Sequence, residues 1–307
     1  MPTYTKINQE HLDYFSKVIG KDFVQTDKES IELHSKDETE DLRYAPEVVL
    51  KPKTAQEIAS ILKYCNTHLI PVTARGAGTG LSGGALPIHG GVILSMVRFN
   101  SIIKIDERNL QAIVEPGVIN HVFQEAVKGK KLFYPPDPAS FGSCFLGGNI
   151  AHGSGGPKAV KYGVTRDYVL NLEVVFANGE IAWTGANVLK NSTGYNLTHL
   201  IIGSEGTLGI VTKIVFKLIP LPQHSVVMLV PFFSAESACA AVSEVFKAGI
   251  VPSGMEFMER DAIDWVLKFL ETSPSPKLNN SNDDSEYSSK PIMNLNNIQS
   301  HHYCCLI

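Results

Sequence analysis

Residues 72–87, VTARGAGTGLSGGALP, set five glycines around a single charge, Arg75. Bare backbone beside an arginine suits the holding of an anion. Successive N–H groups in such turns can point into one concavity, and glycine allows both positive φ and close approach. Thr79 and Ser82 add hydroxyl donors. Gly78-Thr79-Gly80-Leu81-Ser82-Gly83 even fits the letters G-x-G-x-x-G. That fingerprint requires a helix to open after the loop. Here Pro87 and Gly90-Gly91 interrupt the chain and a strand-like VILSM follows. A P-loop fails as well, because no Lys-Ser/Thr follows the glycines. What remains is a long loop of accessible amides; taken alone, it also reads as an ordinary surface loop.

Three further segments weigh against that plainer reading. YPPDPAS (134–140) is stiffened by three prolines, which suits a wall against a flat ring. GGNIAHGSGGP (147–157) holds five glycines and lets backbone touch a ligand face, and GSEGTLGIV (203–211) holds three more. Four such segments between residues 72 and 211 are expected to wrap something long, and a dinucleotide has that shape. His152 is the one candidate for a catalytic base, although hydrogen bonding to cofactor or backbone is its simpler role. Asp106, Glu107 and Glu173 read as solvated strand ends, and Met255, Met258 and Trp265 as core packing.

The elements that must position these segments follow from periodicity. Residues 8–34 read as one or two short helices with Leu12, Phe15, Val18 and Ile19 on one face. Residues 35–46 are charged, end in Pro46 and read as a linker. EVVLKP is a strand, and Thr54 with Glu57 forms a capping signal for a helix to about Asn66. LIPVTARG, GGVILSMV, IIKIDE and QAIVEPG read as strands, and residues 121–128 as a helix. Residues 134–156 read as loop. VLNLEVVFANGE and IAWTG form a hairpin across Asn178-Gly179. A short helix, a loop and a long strand follow to residue 220. From Ser225 the pattern becomes strand, then helix 235–248, then a second helix 255–270. Residues 273–307 are rich in Ser, Asn, Asp and Pro without a period, a composition that buries too little apolar surface to fold, so they are expected to be disordered.

Composition narrows the classes. The chain has 307 residues, 44% hydrophobic and 19% charged, with a formal net charge of −4. It can bury a core, and with no basic stripe a nucleic-acid partner is not expected. The longest apolar runs are about half a membrane span, so no membrane span is expected. The start shows no apolar signal core, and the five cysteines form no framework, so a cytoplasmic protein is the expectation.

The runs PVTARGAGTGLSGGALP, PPDPASFGSCFLGGNIAHGSGGPKAVKYGVTRDYVLNLEVVFANGE and NSTGYNLTHLIIGSEGTLGIVTKI together resemble the PCMH-type FAD-binding domain of the vanillyl-alcohol-oxidase superfamily. Within it the chain looks most similar to glycolate oxidase large subunits and to D-lactate and D-2-hydroxyglutarate dehydrogenases. The resemblance implies an α+β fold: an FAD-binding PCMH-type domain of two α/β subdomains at 46–222, with FAD between them. An N-terminal helical segment (1–45) precedes it. The start of an α/β substrate (cap) domain (223–272), a truncated FAD-linked oxidase C-terminal domain, follows. The matching motif positions would place the pyrophosphate against Arg75, Gly76, Ala77, Gly78, Thr79, Gly80, Leu81 and Ser82. Pro136, Asp137, Pro138, Ser140, Gly147, Gly148, Asn149, Ala151 and His152 would line the flavin and ribityl regions. Gly155, Gly156, Tyr162 and Gly163 would close around them. Glu205, Gly206, Thr207, Ile210 and Val211 would complete the pocket, with Val211 near the adenine or its ribose.

The resemblance also implies the chemistry. A D-2-hydroxy acid gives up its Cα hydrogen as hydride to flavin N5, and an iron–sulfur or other electron-accepting subunit, a quinone or oxygen takes the electrons. Some relatives carry the flavin on a histidine where this sequence has Thr79, and others on a cysteine near Cys144; here non-covalent FAD is expected. The G-H-x-G-D-G-N metal motif of the nearest relatives' C-terminal domain is absent from this sequence, and no metal is expected. The resemblance is traced to about Glu271, which gives the expectation of a truncated or frame-shifted relative. On that view His301, His302, Cys304 and Cys305 form no metal site and the terminal CCLI is not a lipidation box. A non-catalytic flavin-binding or electron-transfer subunit is the alternative function.

Overall fold

The computed structural model describes residues 4–272 and 302–306. The chain divides into two compact units, Met1–Gln223 and His224–Ile307.

The first unit holds three sheets, two of them large and each with its own core, and a third of only two short strands. Helix α1 (Gln9–Ile19) opens at Asn8, whose side chain accepts the His11 amide at 3.1 Å. It buries Phe15 and Ile19. Strand β1 (Val24–Gln25) and helix α2 (Lys28–His34) follow, then β2 (Val48–Leu50), helix α3 (Ala55–His68), β3 (Val72–Arg75) and β4 (Val92–Ser95). Thr54 caps α3, accepting the Glu57 amide at 3.2 Å. Helix α3 turns Ile58, Ile61, Leu62 and Cys65 into the core, as its spacing predicts. The sheet order is β1-β2-β4-β3, with β4 parallel to both neighbours and β1 an antiparallel edge. Strands β2 and β4 are buried along their whole length, which is why they read as unbroken apolar runs rather than alternations.

The second sheet is antiparallel throughout, in the order β5-β6-β10-β8-β9. This part of the chain runs from β5 (Ile102–Asp106), β6 (Gln111–Val114), α4 (Asn120–Lys128) and β7 (Leu132–Phe133) to α5 (Leu146–His152) and α6 (Ala159–Tyr162). Then come β8 (Val169–Val175), β9 (Ile181–Trp183), α7 (Leu197–Ile201), β10 (Ile210–Lys217) and β11 (Ile219–Pro220), which pairs with β7 as a separate two-stranded sheet. The β8–β9 hairpin turns at Asn178-Gly179, with Gly179 at φ +83°, as the sequence predicts. Phe123, Tyr134, Leu172 and Phe216 form the centre of this core. Val175 and Ile210, paired at one end of β8 and β10, pack instead into the first core and so tie the two large sheets together.

Two expectations change in this unit. Residues 146–152, read as loop, form helix α5; its glycines hid the helix, Gly147 serving close packing on Pro116 and Gly148 leaving room in the cleft. Glu173, read as solvated, is buried and bonded to Thr212 Oγ1 at 2.9 Å and Lys213 Nζ at 3.0 Å. A charge in mid-sheet is tolerated because it is paired.

The second unit contains β12 (Met228–Phe232), α8 (Ala235–Lys247), β13 (Met255–Met258), α9 (Arg260–Thr272) and β14 (His302–Leu306). Its sheet order is β12-β14-β13, with β14 antiparallel to both neighbours. Residues 255–258, read as the start of a helix, are therefore a strand, and α9 begins at Arg260. Residues 302–306, read with the disordered tail, are the central strand of this sheet. The row Tyr-Cys-Cys-Leu is compatible with a strand, and two open edges supply partners for both of its sides. The rest of that reading, residues 273–301 with His301, lies outside the described residues. Trp265, read as core, is 71% exposed on α9. No helix among the described residues is long and apolar enough to cross a membrane.

Candidate functional site

The loop after β3 is held from below. Arg75, at the strand's end, is buried, and its Nη2 donates to the Lys36 carbonyl at 2.8 Å. The Gly83 amide donates to Thr39 Oγ1 at 2.7 Å. Residues 35–46, read as a linker, thus brace the glycine loop; their charges and proline gave no periodic signal of that contact. Between those two anchors the backbone amides of residues 77–82 donate to no protein acceptor among the described residues. Successive free amides beside a guanidinium are the raw material of an anion nest. Arg75 Nη1 is buried without a partner, although a buried donor ordinarily has one. Burial pulls the Arg75 pKa down, while Asp37 nearby opposes the shift.

Helix α5 forms the facing wall. A methyl group on Gly76 would meet the Gly148 amide at 3.6 Å, so loop and helix are in backbone contact. A methyl on Gly147 would strike Pro116 Cβ at 2.5 Å. Helix α5 is fixed in turn by Asn149, whose Nδ2 donates to Asn120 Oδ1 at 3.1 Å. Asn120 Nδ2 donates on to the Pro136 carbonyl at 3.2 Å, so buried amides link α5, α4 and the proline segment. At the end of α5, His152 Nδ1 lies 4.0 Å from Glu205 Oε1. The other face of the ring presents Nε2 to Gly80. Glu205 sits at φ +52°, an uncommon conformation for a side-chain-bearing residue, with its amide bonded to the Ala151 carbonyl at 3.0 Å.

These walls enclose a cleft of about 640 Å³ in the first unit, within the range of cofactor sites. Of the expected residues, Arg75, Gly76, Ala77, Gly78, Thr79, Gly80 and Leu81 line it from the loop. Ser140, Gly147, Gly148, Asn149, Ala151 and His152 line it from the second wall, and Glu205, Gly206, Ile210 and Val211 from the third. Ser82, Pro136, Asp137, Pro138, Gly155, Gly156, Tyr162, Gly163 and Thr207 do not. Several of these support the wall instead. Asp137 pairs with Lys158 at 2.9 Å, the Tyr162 carbonyl accepts the Tyr168 hydroxyl at 2.9 Å, and Thr207 Oγ1 donates to the Ser204 carbonyl at 2.6 Å. Glu38, Met96, Pro116, Ser143, Cys144 and Phe145 are among the lining residues not foreseen as such. Pro116 and Met96 follow the ends of β6 and β4, a position only the topology reveals. Burial raises the pKa of the Cys144 thiol. The described residues hold no cluster of three or more side chains able to bind a metal.

The comparisons with known proteins agree with this geometry. Residues 46–185 match the FAD binding domain family, and residues 221–301 match the C-terminal domain of FAD linked oxidases. The second match runs past Glu271, where the sequence reading ended the resemblance. Glycolate oxidase subunit GlcD of Bacillus subtilis is 45% identical over 231 residues, covering 75% of this chain and 49% of the relative. D-lactate dehydrogenase of Anaerostipes hadrus is 38% identical over 275 residues, covering 89% and 58%. The chain thus spans about half the length of these relatives. Among solved structures, an alkyldihydroxyacetonephosphate synthase shares the fold, with a TM-score of 0.78 at 18% identity over 100% of this chain and 56% of that one. The free amides, the unpartnered Arg75 nitrogen and the backbone-lined wall suit a long anionic cofactor, and FAD is the cofactor of the matched domain. The chain thus carries an FAD binding domain followed by a segment that matches the C-terminal domain of FAD linked oxidases.

Proposed function

We propose that the chain serves an enzyme that oxidises a D-2-hydroxy acid of the glycolate, D-lactate or D-2-hydroxyglutarate class, with FAD held non-covalently. The observation that carries this reading is the row of free amides at residues 77–82 beside the unpartnered Arg75 Nη1. When bound, FAD supplies a two-electron acceptor that takes the substrate's Cα hydrogen as hydride at N5. Residues 77–81 and Arg75 would hold the pyrophosphate, and fixed dipoles do this without reorganisation. Gly147, Gly148 and Ala151 offer bare backbone to the cofactor's flat parts. His152, turned toward Gly80, is assigned to cofactor contact rather than to the base. Thr79 has no nucleophilic nitrogen, and the raised pKa keeps the Cys144 thiol protonated, which favours non-covalent binding. Cys65, Cys144 and Cys239 are free, which suits the cytoplasm.

A second reading has one observation in its favour. The matched glycolate oxidase is itself named as a subunit. On that reading the chain binds flavin and passes electrons to an iron–sulfur or other electron-accepting partner chain.

One experiment separates the readings. The purified chain is saturated with FAD, freed of excess and titrated anaerobically with glycolate, D-lactate and D-2-hydroxyglutarate while its visible spectrum is followed. Bleaching by one acid supports the enzyme. Retained flavin that no acid bleaches supports the subunit. Flavin lost on filtration rejects both. Acid precipitation should release the flavin into the supernatant; flavin in the pellet would reject non-covalent binding.

A further inference from the structure

A second cavity, of about 420 Å³, lies in the first unit and shares α7 with the cleft. Ile201 of that short helix lines the cleft, whereas Thr198 and His199 line the second cavity. Three cationic or protonatable side chains reach this cavity from three separate elements. Arg166 comes from the 3₁₀ turn Thr165–Tyr168, His199 from α7 and Lys217 from the end of β10. No acidic side chain among the described residues pairs with any of them. Lys217 Nζ lies 5.2 Å from the Tyr168 ring centroid, which steers it without neutralising it. The one carboxylate in the lining, Asp167, is turned to its own turn, with Oδ2 accepting the Val164 amide at 2.8 Å. Val169, Leu170, Val188 and Leu189 supply apolar walls.

A concavity lined by unpaired cations of one sign focuses their field, and a guanidinium reads two adjacent oxyanion oxygens at once. None of the three cations belongs to the flavin cleft, so the site stands apart from the proposed function. We propose that this cavity binds a small organic anion, recognised through its carboxylate or phosphate oxygens by Arg166 and Lys217. The cavity's volume of about 420 Å³ suits a compact ligand.

The test uses the full chain saturated with FAD, so that the glycine loop is already filled. Its unfolding midpoint is followed against inorganic phosphate and, separately, succinate, with ionic strength held constant by sodium chloride. The midpoint should rise saturably with at least one probe, and which probe acts tells phosphate from carboxylate recognition. Arg166→Gln combined with Lys217→Gln should weaken that response at least about tenfold while leaving FAD affinity unchanged. Arg166 is exposed, and Arg166→Lys provides a milder variant that should retain an intermediate response. No response of the unaltered chain to either probe, or an undiminished response in the double variant, overturns the proposal. A parallel fall in FAD affinity overturns it too, because the cavity would then be part of the flavin site.

Discussion

The loop after β3 and helix α5 meet in the same cleft, and both carry closely spaced glycines for different reasons. On the loop, Gly78 sits at φ +75° and Gly83 at φ +71°, conformations that free amides for a ligand. On α5, Gly147 and Gly148 are helical, and glycine serves distance rather than dihedral. Gly147 admits the backbone of residue 116, and Gly148 leaves room in the cleft. The supports differ too. The loop is braced by Arg75, Asp37 and the residues after His34; α5 is braced by the neutral amides of Asn120 and Asn149. One cleft is thus built from a wall shaped by backbone dihedrals and charge and a wall shaped by packing.

The sharpest way to break the comparison is Gly147→Ala. Its new methyl meets Pro116 Cβ at 2.5 Å and the Pro116 carbonyl at 3.1 Å, atoms of a rigid residue that cannot swing away. Overpacking of this kind costs about 3 kcal/mol at its upper end. The unfolding midpoint should fall with or without FAD, because the damage lies in the fold. A melting curve unchanged from that of the unaltered chain would show that α5 can slide.

Gly78→Ala should cost less stability, about 1–2 kcal/mol for a side chain forced into the left-handed region. The methyl also meets the Arg75 guanidinium, the movable end of a long side chain. FAD affinity should therefore drop more than stability does, since Arg75 and the amides lose their arrangement. Titration with FAD at a temperature where the variant is fully folded checks this; equal affinity would reject the loop as the anion nest.

The support of the loop's wall carries a buried imidazole whose pKa is displaced. His34 is buried, with Nδ1 2.8 Å from the Ser30 carbonyl. Burial first, and Arg75 and Lys51 as further contributions, lower its pKa against the 6.5 of the unfolded chain. The Ser30 hydrogen bond opposes that shift. The unfolded state therefore takes up the proton first as pH falls. His34's contribution to stability is complete above pH 6.5 and is lost below it, toward the lower folded value. The slope from one such group is at most about 1.4 kcal/mol per pH unit. Denaturant titrations between pH 7 and the acid limit should show it, and His34→Gln should flatten that part of the curve. An unchanged slope would assign the pH dependence to other groups.

Much of this arrangement was legible before the structure, but unevenly. The glycine loop was readable because its chemistry is local: the amides, Arg75 and the missing helix are contained in one stretch. The strands and α3 were readable from periodicity. Helix α5 was not, because two adjacent glycines normally mark a loop, and what keeps them helical is Pro116, far away in sequence. The brace from Lys36 and Thr39 was hidden for the same reason, since a charged stretch ending in proline looks like a connector whether or not it packs. Strand β14 was hidden by the polar residues preceding it, while its partners β12 and β13 come from much earlier in the chain. Proline and glycine clusters located the cleft, yet Pro136 and Gly156 turned out to carry wall residues rather than to be them.

The smallest expected effect has the opposite sign on the two readouts. Gly148 is helical, without a positive φ, and a methyl there meets nothing within 4 Å. Replacing a helical glycine with alanine stabilises by roughly 0.5–1 kcal/mol, because glycine loses more conformational freedom on folding. Gly148→Ala should therefore raise the melting midpoint of the FAD-free chain slightly. Yet Gly148 lines the cleft, so the same methyl occupies space the cofactor would use, and FAD affinity should fall. A stabilised chain that binds flavin less well would mean that this glycine is kept for the ligand at the expense of the helix. If both stability and affinity rise, Gly148 does not touch the cofactor, and the wall of the flavin site must be redrawn around Gly147, Ala151 and His152.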